Sequence, residues 1–189
     1  MYLNVKQRGD HVATFRWIEV CLMETLAAWV PSTPEMEAKL VFGAHIWDVA
    51  QHADILGKRT HELRLPLQDS LRPSNDYAEF LAQVAQVPET NKRIAAFYRC
   101  LLPGLQRRLQ EYSSKVDPLL DGPTLRVIDR ILSDSARMIQ ESEELYREFS
   151  WAVYDTAWLE SLRQRELALR DIVVYRQTTQ DAPPVQLHG

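Results

Sequence analysis

The sequence predicts an all-α protein, and three observations predict it. Glycine is scarce, with 6 in 189 residues, while Leu, Ala, Arg, Gln and Glu recur throughout. Apolar residues repeat at spacings of three and four over long stretches, the period of a helix with one buried face. Most of the 10 prolines fall between those stretches, at Pro31 and Pro34, Pro66 and Pro73, and Pro118 and Pro123. The length suits one domain, residues 1–176, followed by a polar tail over 177–189 that is expected to be flexible.

The first helix is expected from about Asp10 to Val30, with Phe15, Ile18, Glu19, Leu22, Leu26 and Trp29 along its main stripe. Ser32 or Thr33 caps the second helix, Pro34 sits in its first turn, and it runs to about Leu63 with Gly57 near its end. A proline-containing loop leads to a short helix near Asp76–Gln86. The next helix spans about Glu89 to Val116, on a stripe of Ile94, Phe97, Tyr98, Leu101, Leu105, Leu109 and Tyr112, and Pro103 inside it predicts a kink. Asp117-Pro118 and Asp121-Gly122-Pro123 turn the chain into a helix ending near Phe149, whose stripe includes Ile128, Ile131, Ser135, Met138, Ser142 and Leu145. A last helix covers about Asp155 to Tyr175, and no segment reads as a strand. Two long helical hairpins in sequence predict a four-helix bundle with an extra short connecting helix and a C-terminal helix.

Composition narrows the function only by exclusion. Apolar residues make up 46% and charged residues 25%, as in soluble globular domains, which excludes collagen-like, disulfide-scaffold and disordered classes. A net charge of -4 without a basic cluster excludes a nucleic-acid partner. The N-terminus has no apolar signal core and no apolar run is long enough for a bilayer, so the expectation is a cytoplasmic protein without a membrane partner. Cys21 and Cys100 lie in apolar helical patterns and read as reduced core thiols.

The second helix carries the most chemistry. His45, Asp48 and His52 stand at i, i+3 and i+7 and share a face. The two histidines are about 10 Å apart, so either can pair with Asp48 but both cannot reach one metal ion unaided. The alternative is a structural network flanking Phe42, Ile46, Val49 and Ala53. Glu19 lies on an apolar stripe, where a carboxylate needs a partner. Counted outward from the Pro31–Pro34 turn, it is level with His45 and Asp48. Tyr98 and Tyr112 are core aromatics with one satisfied hydroxyl each, or they help line a small-molecule pocket. Trp47 lies opposite the histidines, exposed or at an interface such as a homodimer contact, with packing under the C-terminal segment the equal alternative. Arg59, Glu62 and Arg64 read as ion pairs closing the helix.

The stretch Asp48-Val49-Ala50-Gln51-His52-Ala53 resembles the second-helix motif Asp-Glu-Ala-Arg-His-Ala of the ferritin-like superfamily, which includes ferritins, rubrerythrins and biosynthetic di-iron oxygenases. Asp121-Gly122-Pro123-Thr124 followed by Ile131-Leu132-Ser133-Asp134-Ser135-Ala136-Arg137-Met138 is similar to the family's other half-site, an Asp-x-Pro-Thr turn and a helix reading Ile-Leu-x-Asp-Glu-x-x-His. The resemblance covers about residues 11–149 and implies a ferritin-like bundle. The departures imply more. Val49, Ser135 and Met138 occupy ligand positions, Glu111 stands beside rather than on its inner stripe, and only Glu19 and His52 remain. A hydroxyl and a thioether are poor ligands for oxygen-activating iron.

Three functions follow as expectations. The first is a bundle without metal or other cofactor that binds or transforms a small metabolite of a biosynthetic pathway in its interior, with Glu19, His45 and His52 as acid–base residues and Asp48, Tyr98, Tyr112, Ser135 and Met138 lining the ligand. The second is an atypical di-iron or di-manganese oxygenase or oxidase using Glu19, His45, Asp48 and His52. The third is a non-catalytic partner or scaffold protein.

Overall fold

The computed structural model describes residues 2–148 and 155–177. Their regular structure is helical throughout, and no strand occurs among them. The elements are α1 (Val5–Ser32), α2 (Met36–Glu62), α3 (Asn75–Ala85), α4 (Thr90–Ala96), a π-helical turn (Phe97–Leu101), α5 (Leu102–Ser114), α6 (Gly122–Glu148) and α7 (Thr156–Ala168). α1 packs along α2, α2 along α6, and α5 along α6. Their apolar stripes close one core that contains Phe15, Ile18, Leu22, Phe42, Val49, Leu105, Ile131 and Met138. Burying each such side chain contributes roughly 1.5–3 kcal/mol.

α1 starts at Val5 rather than near Asp10 because Asn4 and Gln7 form a capping box, each side chain accepting from the other's backbone N–H. It also continues through Pro31 to Ser32. Neither Ser32 nor Thr33 caps α2, and Pro34 precedes that helix. Glu35 holds the N-cap position without a side-chain bond. Thr33 instead ends α1: its hydroxyl donates to the Trp29 carbonyl and accepts from Arg93.

Pro103 acts as a break in hydrogen bonding. It has no N–H for the carbonyl four residues back, that of Arg99. The chain widens into the π turn just before it, where the Leu102 N–H reaches the Phe97 carbonyl. Arg163 of α7 then donates from Nε to the freed Arg99 carbonyl at 2.8 Å. α7 is held there as well by Glu166, whose carboxylate lies so close over Gly104 that a Cβ would collide with it. Arg108 pairs with that carboxylate.

α7 stops at Ala168, short of the expected Tyr175, because Arg108 takes the Leu169 carbonyl at 2.6 Å. Residues 169–177 then form a strap across α1. The Ser74 N–H donates to the Ile172 carbonyl, the Arg176 N–H donates to Asp10, and the Arg176 guanidinium pairs with Asp69. The expected tail beyond Gln177, and Phe149 and Trp151, lie outside the described residues. Among the described residues no helix is long and apolar enough to cross a membrane. Cys21 and Cys100 are both unpaired, and burial pushes both thiols up, that of Cys100 to about 12.

Candidate functional site

The site grows from the register between α2 and α6. These helices run antiparallel, so residues whose numbers sum to about 186 stand side by side. His45 meets Glu141 with Nε2 and Oε2 2.7 Å apart, and His52 meets Asp134 with Nε2 and Oδ2 3.1 Å apart. Between these rungs Arg137 donates to Asp48 at 2.8 Å and to Glu141 at 3.0 Å, and stands 3.6 Å from Asp134. The spacing of seven on α2 is therefore answered by a spacing of seven on α6. Asp48 joins neither histidine; its partner is Arg137.

A third helix completes each rung. Tyr98, in the π turn, places its hydroxyl 2.7 Å from His45 Nδ1. Glu141 can only accept, so His45 donates from Nε2 and its Nδ1 lone pair receives the Tyr98 O–H. Burial pushes the Tyr98 hydroxyl well above its ordinary range, which keeps that proton in place. Glu19 of α1 completes the other rung, with Oε1 3.4 Å from His52 Nδ1. It meets His52 rather than the expected His45 and Asp48, because α1 runs on through Pro31 and α2 begins only at Met36. This moves the hairpin's midpoint toward higher numbers.

The two histidine pKa values are shifted in opposite directions. Burial lowers the His45 pKa, and Glu141 offsets that only in part. At His52 burial also opposes the charged form, but Glu19 and Asp134 together outweigh it, and its pKa is raised. Glu19 is 1% exposed and its Oε2 accepts no hydrogen bond. Asp134, on the far side of His52, reaches the surface with its side chain 27% exposed. Ser135 and Met138 are buried in the core as expected, at the positions where the resemblance would require ligands.

Tyr112 does not belong to this set. Its hydroxyl donates to Asp121 at 2.6 Å, and the same buried carboxylate accepts from Arg59 and Thr124. This clasp ties the start of α6 to α2 and α5. Arg59 also pairs with Glu62, as the sequence suggests. Trp47 is 67% exposed and lies beneath no other segment of the described residues.

The arrangement does not suit a pair of metal ions. Both His52 nitrogens already face carboxylates, His45 and Asp48 point to other partners, and among the described residues no group of three or more His, Cys, Asp or Glu is placed to hold a metal ion. Sequence reasoning passed over Asp134, Arg137 and Glu141 because they lie one position outside the apolar stripe of α6. The signal was there in the shared spacing of seven.

No protein-family model, curated protein or solved structure matches the chain.

Proposed function

We propose that the protein is a ferritin-like four-helix bundle without a di-metal centre that binds or transforms a small metabolite in its interior. One observation carries the reading. Two facing buried atoms, Glu19 Oε2 and His52 Nδ1, have no hydrogen-bond partner; Glu19 Oε1 stands 3.4 Å from that nitrogen, and the other His52 nitrogen bonds the partly exposed Asp134. A buried unmet acceptor is costly and favours a ligand that donates to it. In this reading Glu19 is the general base. His52 shares the proton, and Asp134 passes it to solvent. In the same reading Ser135 and Met138 contact the ligand, and His45 with Tyr98 positions α2. Entry is easiest between α2 and α6, where the partly exposed Asp48, Arg137 and Glu141 pairs contribute little to closure.

The test is chemical analysis of what the protein carries when purified without chelators. One organic molecule released on denaturation by the wild type, and lost in Glu19→Gln with helical circular dichroism unchanged, supports the proposal. Stoichiometric iron or manganese that disappears in His52→Ala would establish the metal-dependent alternative instead. An empty wild type together with a large loss of stability in Glu19→Gln assigns Glu19 to the fold alone.

A second reading, a non-catalytic protein that forms a homodimer, is favoured by the outer face of α2. Met36, Leu40 and Trp47 are 60%, 67% and 67% exposed along one side of that helix. A concentration-dependent dimer in sedimentation, weakened by Trp47→Ala, would support it.

A further inference from the structure

The strap over residues 169–177 forms one side of a half-open pocket of about 220 Å³ that shares no residue with the Glu19–His52 set. Four rings line it: His11, Phe15, Tyr112 and Tyr175. The His11 centroid is 6.1, 5.3 and 5.6 Å from those of Phe15, Tyr112 and Tyr175, so the four rings pack against one another at edge and tilted angles and form one aromatic wall. A dry cavity of about 150 Å³ holds benzene. This one therefore has room for a ring with a small substituent.

The charges at its rim give the substituent its sign. Glu111 is engaged by Arg107, and Arg108 by Glu166. Lys115 and Arg170 line the cavity, are exposed, and form no ion pair among the described residues. Asp171 is the remaining anion, which leaves an excess of one positive charge. In the wall, Arg108 is 5% exposed and its Nε–H has no acceptor. This buried donor is unsatisfied beside the aromatic wall. Burial lowers the His11 pKa and the nearby Lys115 lowers it further, against the bond to the Gln7 carbonyl and the charge of Asp10. That bond takes the Nδ1 proton and leaves Nε2 as an acceptor.

We propose that this pocket is a binding site for a small aromatic carboxylate, with the ring against the wall of His11, Phe15, Tyr112 and Tyr175 and the carboxylate at Lys115 and Arg170. The strap positions two of these six residues, Arg170 and Tyr175, and is fixed at Ile172 by Ser74 and at Arg176 by Asp10 and Asp69. Ligand binding and strap docking therefore reinforce each other.

Isothermal titration of the full chain with benzoate, with benzyl alcohol as the uncharged counterpart, tests the site. Benzoate binds and benzyl alcohol binds at least about tenfold more weakly, since the alcohol lacks the charge that the rim recognises. Lys115→Ala and Arg170→Ala each weaken benzoate by about three- to fivefold, the scale of one exposed ion pair. Tyr175→Ala weakens both ligands, because it removes a ring that either one contacts. Lys58→Ala, which removes a cation on α2 away from the cavity, leaves binding unchanged. The proposal is overturned if benzoate gives no heat of binding, if the alcohol binds equally well, or if Lys58→Ala weakens benzoate as much as the rim variants do.

Discussion

His45 and His52 are two turns apart on the same face of α2. Each is buried, and each meets an α6 carboxylate from a pair that is also seven residues apart. Burial nevertheless wins at His45 and loses at His52. The third partner makes the difference. A hydroxyl can donate, so Tyr98 on one side and Glu141 on the other are both satisfied by a neutral imidazole. A carboxylate can only accept, so Glu19 and Asp134, facing the two nitrogens of His52, both favour the imidazolium with its two N–H groups. The helical repeat reproduces the geometry of the rung, and the residue contributed by the third helix sets the direction in which the histidine pKa moves.

Glu19→Gln breaks this comparison most strongly. Without its anion, burial dominates at His52 and the pKa falls below the ordinary value, as at His45. A raised pKa in the folded state contributes stability that is fully present below about pH 6.5 and is lost as pH rises through the folded value. We therefore expect Glu19→Gln to lose about 2–3 kcal/mol in urea unfolding near pH 5.5 and much less near pH 9. His45 and His11, both lowered, act in the opposite sense: their contribution is present above about pH 6.5 and fades on acidification. The variant should therefore become steadily less stable as pH falls, while the wild type changes less. An equal loss at both pH values would mean that His52 is uncharged in the native protein.

Tyr98→Phe tests the other rung. It leaves the His45 Nδ1 lone pair buried without a donor and should cost about 1.5 kcal/mol at neutral pH. The imidazole ¹⁵N resonances should show the Nε2–H tautomer becoming less dominant. No change in either measurement would remove Tyr98 from the account of His45.

Much of this was legible in the sequence, for identifiable reasons. Helix spacing placed His45, Asp48 and His52 on one face, and the apolar surroundings of Glu19 marked it as a carboxylate in need of a partner. Which partner it met depended on where the hairpin turned. That depended on α1 accommodating Pro31 in its last turn, a local choice that the pattern does not reveal. Tyr112 went to Asp121 because a fully buried carboxylate at the start of α6 required donors, and spacing along α5 cannot show what α6 needs. The kink expected at Pro103 took the form of a π turn because Arg163, 60 residues later, was available for the freed carbonyl.

The smallest effect separates the two rungs most clearly. Arg137 bridges Asp48 and Glu141, with Asp134 farther off, and its side chain is 44% exposed. Exposed pairs of this kind are screened by solvent and contribute little, so Arg137→Ala should cost only about 0.5 kcal/mol, and less in 1 M salt. Its effect on the histidines should be unequal. Arg137 is one of the charges that holds the His45 pKa down, whereas the raised value at His52 comes from Glu19 and Asp134 acting against burial. An NMR titration of the variant should show the His45 pKa moving up toward its ordinary value while that of His52 stays in place. Equal movement of both would show that the ion-pair seam acts on the two rungs as one field, and the third partner would no longer account for their difference.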